Sequence, residues 1–230
     1  MEEHGYKDLA KYYDLFTEKK DYKGESEFLV KLLNKYNVKT LLDVGCGTGN
    51  HLINLEKKFN CKGFDLNEEM ITQARKKLNS KLFVGDMKSF QLNERFEAII
   101  CMFAGFNHII DQDDVIKALK NFYKHLNFGG LLVLDLHNPK SSGEKVNSKK
   151  GISRKMQWSF DKNKMIEKTI VTFDVNGKII EDSHNMKIYT IEEMRKLLEK
   201  EGFREISFFE NYTFVKANQS SKNIVVAAVK

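Results

Sequence analysis

Several features that mark whole classes of protein are scarce in this chain. Only one proline, Pro139, occurs among the 230 residues, and no internal repeat or low-complexity tract is present. No apolar run approaches the ~20 residues that a membrane helix needs, and Met1–His4 lacks the basic-then-apolar pattern of a signal peptide. We therefore expect one domain, with or without an insertion, in the cytoplasm and not in a membrane.

Cysteine is scarce as well, and the three that occur are Cys46, Cys61 and Cys101. Their spacing matches neither a disulfide framework nor a zinc site, so we expect reduced, buried thiols and no metal. The charge balance is less decisive. The net charge of +6 suits an anionic partner, but lysines spread along the chain serve solubility equally well.

Apolar segments alternate with amphipathic helical segments from residue 22 to residue 137, and the alternation returns at Thr190. This order predicts an α/β fold: a Rossmann-like, doubly wound sheet of seven mostly parallel strands with helices on both faces. The predicted strands are Thr40–Val44, Cys61–Leu66, Lys81–Val84, Phe96–Cys101, Leu131–Leu136, Phe203–Phe209 and Ile224–Val229. The predicted helices are 6–20, 22–36, a segment ending near Lys58, Glu68–Leu78, Asp114–Leu126 and 190–201.

Residues 138–189 interrupt this alternation. A polar, flexible segment is predicted at 138–151, and Asn176-Gly177 gives a strong hairpin signal farther along. We predict a small antiparallel β insertion at 138–189, set into a Rossmann-like domain formed by 1–137 and 190–230. Its predicted strands are Ser153–Phe160, Met165–Asp174 and Lys178–Tyr189.

A turn with three alternating glycines, Gly45 to Gly49, follows the first predicted strand, and we call it the glycine turn. It lacks the Gly-Lys-Ser/Thr ending of a P-loop. Asn50 stands where a dinucleotide site would have glycine, and the carboxylate of Asp43 would repel a diphosphate. Two interpretations remain: a turn with a purely structural role, or a site for a cationic ligand without phosphate, such as S-adenosylmethionine, which we favour.

Five short motifs together resemble those of the class I S-adenosylmethionine-dependent methyltransferases. They are Leu42–Gly49, Gly63–Met70, Gly85–Met87, Phe96–Phe103 and Gly129–Leu131. The resemblance implies that the glycine turn (Gly45, Cys46, Gly47, Gly49) admits the methionine part of the cofactor, while Asp43 holds its amino end. It further implies that Asp65 binds the ribose and that Leu66 and Met70 flank adenine. It assigns the adenine amino group to Gly85, Asp86 and Met87, and the space near the methyl group to Met102 and Phe103. Leu66 and Met70 as plain core, and Asp86 as a turn carboxylate, stay open as alternatives.

A narrower resemblance points to the N-methyltransferases that dimethylate nucleotide-linked amino sugars. It is carried by Leu9–Asp14, Cys101–Phe103, His125-Leu126, Asp182–His184 and Tyr189-Thr190. Two departures weaken it: Asp135–Pro139 replaces a tryptophan-rich stretch, and Tyr212–Lys222 replaces a glycine-rich one. The resemblance therefore supports small-molecule N-methylation more than it supports an amino-sugar nucleotide.

Methyl transfer requires alignment of acceptor, methyl and sulfur, exclusion of water, and, for an amine, loss of a proton. Histidines and tyrosines that titrate or hydrogen-bond near the turn are therefore candidate catalytic groups: Tyr13, His108, His125 and His184. His125 also suits the end of a helix, where a cation is favoured anyway. Tyr13 and Tyr22 are further candidates for an N-terminal lid that binds the cofactor.

A basic cluster opens the insertion and could attract a diphosphate, although a solvated loop is the plainer interpretation. It comprises Lys140, Lys145, Lys149, Lys150, Arg154 and Lys155. Because aromatic residues are not interleaved with it, the cluster gives little support for nucleic-acid binding.

We predict an enzyme, a methyltransferase that moves a methyl group from S-adenosylmethionine to a small molecule, at an amine nitrogen. Methylation of oxygen or carbon on a metabolite, and methylation of tRNA, are the alternatives. A non-catalytic S-adenosylmethionine-binding regulator is the alternative from another class. We expect the acceptor to be anionic or nucleotide-linked, the insertion to cover the acceptor site, and the protein to be a monomer or homodimer.

Overall fold

The computed structural model describes residues 10–138 and 141–230. The start of the predicted helix 6–20, Leu9 of the narrower motif, Pro139, and Lys140 of the basic cluster lie outside the described residues. None of the described helices is both long and apolar enough to span a membrane.

The main sheet has seven strands in the order β10-β11-β5-β4-β1-β2-β3, which confirms the predicted Rossmann-like architecture. The five strands from β1 to β5 pair in parallel, and β11 and β10 add antiparallel pairs at one edge. The strands are β1 (Thr40–Val44), β2 (Asn60–Asp65), β3 (Lys81–Val84), β4 (Phe96–Cys101), β5 (Leu126–His137), β10 (Arg204–Glu210) and β11 (Asn223–Val229).

Helices cover both faces of the main sheet, as predicted, but several are shorter than their sequence patterns suggest. They are α1 (Ala10–Thr17), α2 (Tyr22–Lys35), α3 (Leu52–Leu55), α4 (Glu68–Arg75), α5 (Gln112–His125) and α6 (Ile191–Lys200). The helix expected to reach Lys58 ends early, because the amides of Lys58 and Phe59 both bond to the carbonyl of Leu55 and turn the chain toward β2. Thr190 caps α6 by accepting a 3.0 Å bond from the amide of Glu193.

The start of β5 differs from its prediction. The sequence predicts a loop at 127–130 and a strand from Leu131, whereas β5 begins at Leu126, opposite Phe96 of β4. A register shift between Phe96 and Ala98 takes up the extra residues. Gly129 adopts a φ of +74° there, which a glycine accommodates without strain.

The insertion forms a second antiparallel sheet of four strands, in the order β6-β7-β8-β9. These are β6 (Gly143–Lys149), β7 (Ile152–Asp161), β8 (Ile166–Val175) and β9 (Lys178–Lys187). The prediction of a flexible segment at 138–151 is wrong for β6, because backbone bonds to β7 suffice to order a polar edge strand. The predicted hairpin at Asn176-Gly177 is confirmed, with φ values of 53° and 85°.

Helix α1 packs against one face of this second sheet and connects it to the main sheet. Phe173 of β8 is buried between the rings of Tyr12 and Phe16, at centroid distances of 6.4 and 5.4 Å. The carboxyl ends of β1 to β4, α1 and β9 consequently surround one space.

Candidate active site

A cavity of about 930 Å³ opens at the carboxyl ends of β1, β2, β3 and β4, where α1 and β9 cover it. All but two of the site residues predicted from sequence line this cavity. Those that do are Tyr13, Tyr22, Asp43, Gly45, Cys46, Gly47, Asp65, Leu66, Met70, Gly85, Asp86, Met87, Met102, Phe103, His108 and His184. Gly49 and His125 do not.

The three glycines of the turn have different reasons to be glycine. Gly45 and Gly47 have φ values of +69° and +54°, and a Cβ on Gly47 would meet no protein atom within 4 Å. Gly47 therefore borders open cavity. Gly49 does not, because its Cβ would lie 2.3 Å from Leu78 Cδ1, on the side packed against α4. The expected role of Gly49 in admitting the methionine part is corrected: it allows the helix after the turn to pack closely.

Asp43 presents a buried carboxylate to the cavity, with only 2% of its surface exposed. Its Oδ1 atom has no hydrogen-bond partner in the described part of the chain. Burial, and secondarily the charge of Asp65, raises the pKa of Asp43 well above its usual value. A buried carboxylate without a partner is costly, so this position favours a ligand that brings a positive charge or a donor.

Asp65, at the end of β2, has its carboxylate oriented by the backbone. Its two oxygens accept amide hydrogen bonds from Gly47 at 2.8 Å and from Asn67 at 2.9 Å. Burial raises the pKa of Asp65, although the amides of Asn67, Gly47 and Leu66 lower it. An ionised carboxylate has lone pairs left after two such bonds, and these remain able to accept from ligand hydroxyl groups.

Beyond Asp65 the cavity has apolar walls. The side chains of Leu66 and Val84 are 64% and 47% exposed, which is unusual for large apolar groups unless a ligand covers them. Met70 is only 5% exposed, so it belongs to the core as well as to the cavity wall. This end can hold a flat, largely apolar ring such as a purine.

Polar groups close the same end. The Asp86 carboxylate accepts a 2.9 Å bond from the amide of Lys88, and Lys88 Nζ lies 3.6 Å from Asp86 and 3.1 Å from Asp114. Sequence reasoning missed Lys88 and Asp114, which both line the cavity. A basic residue two positions after Asp86 was the available signal.

The opposite end combines aromatic rings with histidines. The ring of Tyr13 meets that of Phe103 edge-on at 6.4 Å, and the rings of His108 and His184 lie 5.1 Å apart. Phe103 is 44% exposed and has a φ of +52°, so the chain turns there to leave its ring facing open space. Ser183 and Asn185 of β9 complete this end.

His125 lies away from the cavity, so it is no longer a candidate catalytic residue. It is 2% exposed, and its two ring nitrogens are bonded to the carbonyl of Asn121 at 2.8 Å and the amide of Leu92 at 3.2 Å. Both nitrogens are therefore used to hold α5 against the loop after β3. The helix-end signal in the sequence reflects this structural role.

Helix α1 is attached to the glycine turn by a network that sequence reasoning did not find. Asp14 accepts hydrogen bonds from Thr48 Oγ1 at 2.6 Å and Asn50 Nδ2 at 2.9 Å, and its other oxygen lies 2.7 Å from Lys77 Nζ. Burial raises the pKa of Asp14, but the bonds from Lys77, Thr48 and Asn50 bring it below the usual value. Pairs separated by 34 and more residues carry no signal in a single sequence.

A second network lies beneath Tyr22. The Tyr22 ring meets His51 edge-on at 5.1 Å, and His51 Nε2 is 2.8 Å from Glu25 Oε2. Glu25 also pairs with Lys20, whose Nζ lies 4.5 Å from the centre of the Phe103 ring. These contacts fix the segment between α1 and α2 beside the cavity.

The basic cluster of the insertion does not face the cavity. Lys149 pairs with Glu18, Lys155 lies 3.5 Å from Glu144, and the Arg154 guanidinium packs 4.8 Å from the Phe16 ring. None of the described members of the cluster lines the cavity. The hypothesis that it draws an anion to the site mouth is therefore not supported.

The cysteines are not joined by disulfides in the described part of the chain, and the expected burial is found for Cys61 and Cys101, whereas Cys46 is half-buried. No cluster of three or more potential metal ligands occurs among the residues that the structure describes. The fold and the cavity together define a Rossmann-like α/β protein whose cavity combines the carboxylates of Asp43 and Asp65 with apolar walls.

Comparisons with known proteins show what this chain is similar to. Residues 41–130 match the model of a methyltransferase domain. The fold is shared with an S-adenosylmethionine-dependent methyltransferase from Clostridium acetobutylicum, with a TM-score of 0.85 and 25% identity over 97% of this chain and 98% of that one. The chain is therefore similar to S-adenosylmethionine-dependent methyltransferases, in sequence over residues 41–130 and in fold over nearly all of its length.

Two characterised relatives are N-methyltransferases. One is the dTDP-3-amino-3,4,6-trideoxy-alpha-D-glucopyranose N,N-dimethyltransferase of Streptomyces venezuelae, 37% identical over 56% of this chain and 56% of the relative. The other is the glycine/sarcosine N-methyltransferase of Aphanothece halophytica, 34% identical over 50% of this chain and 46% of the relative. The chain spans about half the length of the curated relatives it matches.

The residues present fit S-adenosylmethionine. The unpartnered Oδ1 of Asp43 faces the position where the cationic methionine end would lie beside the glycine turn. The oriented carboxylate of Asp65 suits the ribose hydroxyls, and Leu66 and Val84 suit the faces of adenine.

Proposed function

We propose that this protein transfers a methyl group from S-adenosylmethionine to an amine nitrogen of a small molecule. One observation carries the proposal: a single cavity joins the unpartnered carboxylate of Asp43 to the histidine pair His108 and His184. A cationic cofactor is favoured at the first end, and a group that must lose a proton is favoured at the second.

The bound cofactor supplies a methyl group already activated by its sulfonium. The work of the chain is therefore to bind, to orient and to exclude water. Asp43 and Asp65 bind the two polar parts of the cofactor, Tyr13 and Phe103 cover the space between cofactor and acceptor, and the histidines face the acceptor.

We further propose amino sugars as the first acceptor class to test, since one relative acts on a dTDP-linked amino sugar. Small amino acids are the second class, from the glycine/sarcosine relative. Among the described cavity residues, Lys88 is the lone lysine or arginine, and two aspartates already pair with it. A diphosphate, if present, would lie outside the cavity.

The test has two parts, each with a clear negative. Titration calorimetry with S-adenosylmethionine should give saturable binding, and no binding at high micromolar concentration would end the proposal. Transfer of labelled methyl to a panel of free amino sugars, dTDP-amino sugars and amino acids should then give product, with NMR locating the methyl on nitrogen. Binding without transfer to any acceptor would favour the regulator. A methyl on oxygen or carbon, or a salt-dependent gel shift with tRNA, would favour the other enzymes.

The assembly and cellular location stay predictions. We propose a cytoplasmic monomer or homodimer, which light scattering of the purified protein would distinguish. The insertion's role in covering the acceptor is likewise proposed, on the position of His184 in β9 at the cavity wall.

A further inference from the structure

The carboxylate of Glu167 is buried close to the histidine pair and has no role in the function proposed above. Glu167 of β8 is 3% exposed, and its Oε1 lies 3.7 Å from His137 Nε2 and 3.3 Å from Thr169 Oγ1. Its Oε2 has no hydrogen-bond partner among the described residues. A buried carboxylate in this state gains most from a nearby cation.

The strand register places Glu167 close to His184. Thr169 of β8 pairs with His184 of β9, and Glu167 pairs with Met186, in an antiparallel ladder. Paired residues share a face, and residues two apart on one strand share it too, so Glu167 and His184 are diagonal neighbours on one face. Long side chains at diagonal positions interact across such a ladder.

The two histidines of the pair consequently have different surroundings. His184 faces Asp182 on its own strand, Glu167 on β8, His137 at the end of β5, and His108 across the cavity. The pKa of His184 is lowered overall, first by burial and further by His137, although the carboxylates of Asp182 and Glu167 raise it.

His108 lacks such support. Although its ring is exposed to the open cavity, the protein atoms around His108 displace enough water, together with the charge of His184, to lower its pKa to about 4. The His108 ring, with so low a pKa, holds a proton poorly. The neighbouring His184 ring, in contrast, has two carboxylates nearby that favour its protonated form. The pair is therefore asymmetric, and the asymmetry comes from β8 and β9.

We propose that His184 takes the proton of the acceptor amine and that Glu167 is the positioning residue that supports the charged form of His184. This inference deepens the proposed function and rests on it. His108 then lines the cavity as a neutral ring, and its position beside His184 disfavours a second positive charge there.

The proton and electron balance is simple. An acceptor entering as an ammonium loses one proton to a ring nitrogen of His184, and the nitrogen regains its lone pair. That lone pair forms the N–C bond while the C–S bond breaks and leaves its electron pair on sulfur. His184 returns its proton to water after product leaves.

The test compares the pH dependence of kcat/KM in the wild type and five variants. In the wild type the rate should rise with pH through the titration of His184, because the neutral ring is the active form. His184→Asn should abolish this acidic limb and lower kcat about 100-fold, the usual contribution of a general base, whereas His108→Asn should keep the limb.

Two further variants should move the limb in opposite directions. Glu167→Gln removes a carboxylate that raises the pKa of His184, so the limb should shift to lower pH. His137→Asn removes a group that lowers it, so the limb should shift to higher pH. Glu181→Gln, an exposed carboxylate on the same sheet, serves as the control and should leave the limb in place.

NMR titration of the histidine ring protons provides a second readout that needs no acceptor. The His184 resonance should shift its midpoint downward in Glu167→Gln and upward in His137→Asn. An acidic limb that survives in His184→Asn, or a His184 midpoint that neither variant moves, would overturn the inference. If Glu167→Gln fails to fold, the half-exposed His137 still decides the question. Because the titration is independent of turnover, it can fail or succeed separately from the proposed function.

Discussion

The backbone amide of Gly47 donates a hydrogen bond of 2.8 Å to the Asp65 carboxylate, and this bond joins the glycine turn to the end of β2. Two motifs eighteen residues apart are thus one unit before any ligand binds. The carboxylate is held in place by a group that cannot move independently, so little orientation entropy remains to be lost on binding.

Replacing Asp65 by alanine should weaken S-adenosylmethionine binding by about 10- to 100-fold, the loss of about 1.4 to 2.8 kcal/mol. The loss comes from the hydrogen bonds between the carboxylate and the ribose. Calorimetric titration measures it directly. Glu94→Ala, an exposed residue paired with Lys62 of β2, is the control and should bind normally. Unchanged affinity in the Asp65 variant would contradict the ribose role.

The charge of Asp43 should lower the folding stability of the protein and strengthen the binding of S-adenosylmethionine. Its folded pKa is raised by burial and by Asp65, above an unfolded value of about 3.9. Ionised Asp43 therefore costs folding free energy, and the cost grows as the pH rises from the unfolded value toward the folded value. The isosteric Asp43→Asn variant removes the charge, so its Tm without ligand should exceed that of the wild type.

This difference in Tm should widen as the pH rises above about 4, because the folded carboxyl keeps a proton that the unfolded one has lost, and it should level off once the pH passes the folded pKa. The same variant should bind S-adenosylmethionine at least about tenfold more weakly, because the cationic end loses its counter-charge. Thermal unfolding over this pH range and calorimetry check the two halves. A lower Tm together with normal affinity would refute both.

The local parts of this fold and site are readable in the sequence. Thr40–Val44 and Lys81–Val84 begin and end as strands where their apolar patterns do, since nothing distant competes with the pattern. Asp43 and Asp65 are found by their distance from the glycine turn. Both depend only on the strand–turn–helix unit in which the residue stands.

The distant parts are not readable in the same way. Glu167 meets His137 only because β8 passes the end of β5, and Asp14 meets Thr48 only because α1 folds back over the turn. The edge strand β6 is polar and is ordered by backbone bonds to β7, which leave no apolar pattern. In the sequence, His125 fits both a charged residue at a helix end and a catalytic base. Only its burial in the structure distinguishes the two roles.

Asp14 should control how firmly α1 covers the cofactor cavity. Removing its carboxylate by Asp14→Ala takes away the bonds from Thr48, Asn50 and Lys77 at once. The side chain is partly exposed, so we expect a local loss of about 1 kcal/mol, and thus about fivefold faster hydrogen exchange in α1. Exchange measured by mass spectrometry over Ala10–Thr17 checks this.

The control for α1 is Glu27→Gln, which removes only an exposed pair with Lys23 and should leave exchange in α1 unchanged. S-adenosylmethionine affinity should fall a few-fold in Asp14→Ala, because Tyr13 of the same helix lines the cavity. Wild-type exchange in α1 of the Asp14 variant would show that packing on Phe173, rather than this network, holds the helix.

Gly47 and Gly49 should respond differently to alanine, although both have positive φ. Gly49→Ala adds a contact at 2.3 Å with Leu78 to the backbone strain, so it should cost about 2–4 kcal/mol of folding free energy. Gly47→Ala meets no protein atom and should cost only about 1–2 kcal/mol, the backbone term alone. Gly47→Ala should nevertheless lose cofactor affinity, since its Cβ enters the region beside the cavity, whereas folded Gly49→Ala should bind nearly normally.

Adding Leu78→Ala to each glycine variant separates the two causes. Leu78→Ala should partly rescue Gly49→Ala, because it removes the atom that the new Cβ meets, and the two changes should therefore be non-additive. In Gly47→Ala, the change Leu78→Ala should lower the free energy of unfolding by the same amount as it does in the wild type. Denaturant unfolding of the wild type, the three single variants (Gly47→Ala, Gly49→Ala and Leu78→Ala) and the two double variants gives both coupling energies. Additive costs at Gly49, or a loss of affinity there equal to that at Gly47, would mean that Gly49 borders the ligand after all.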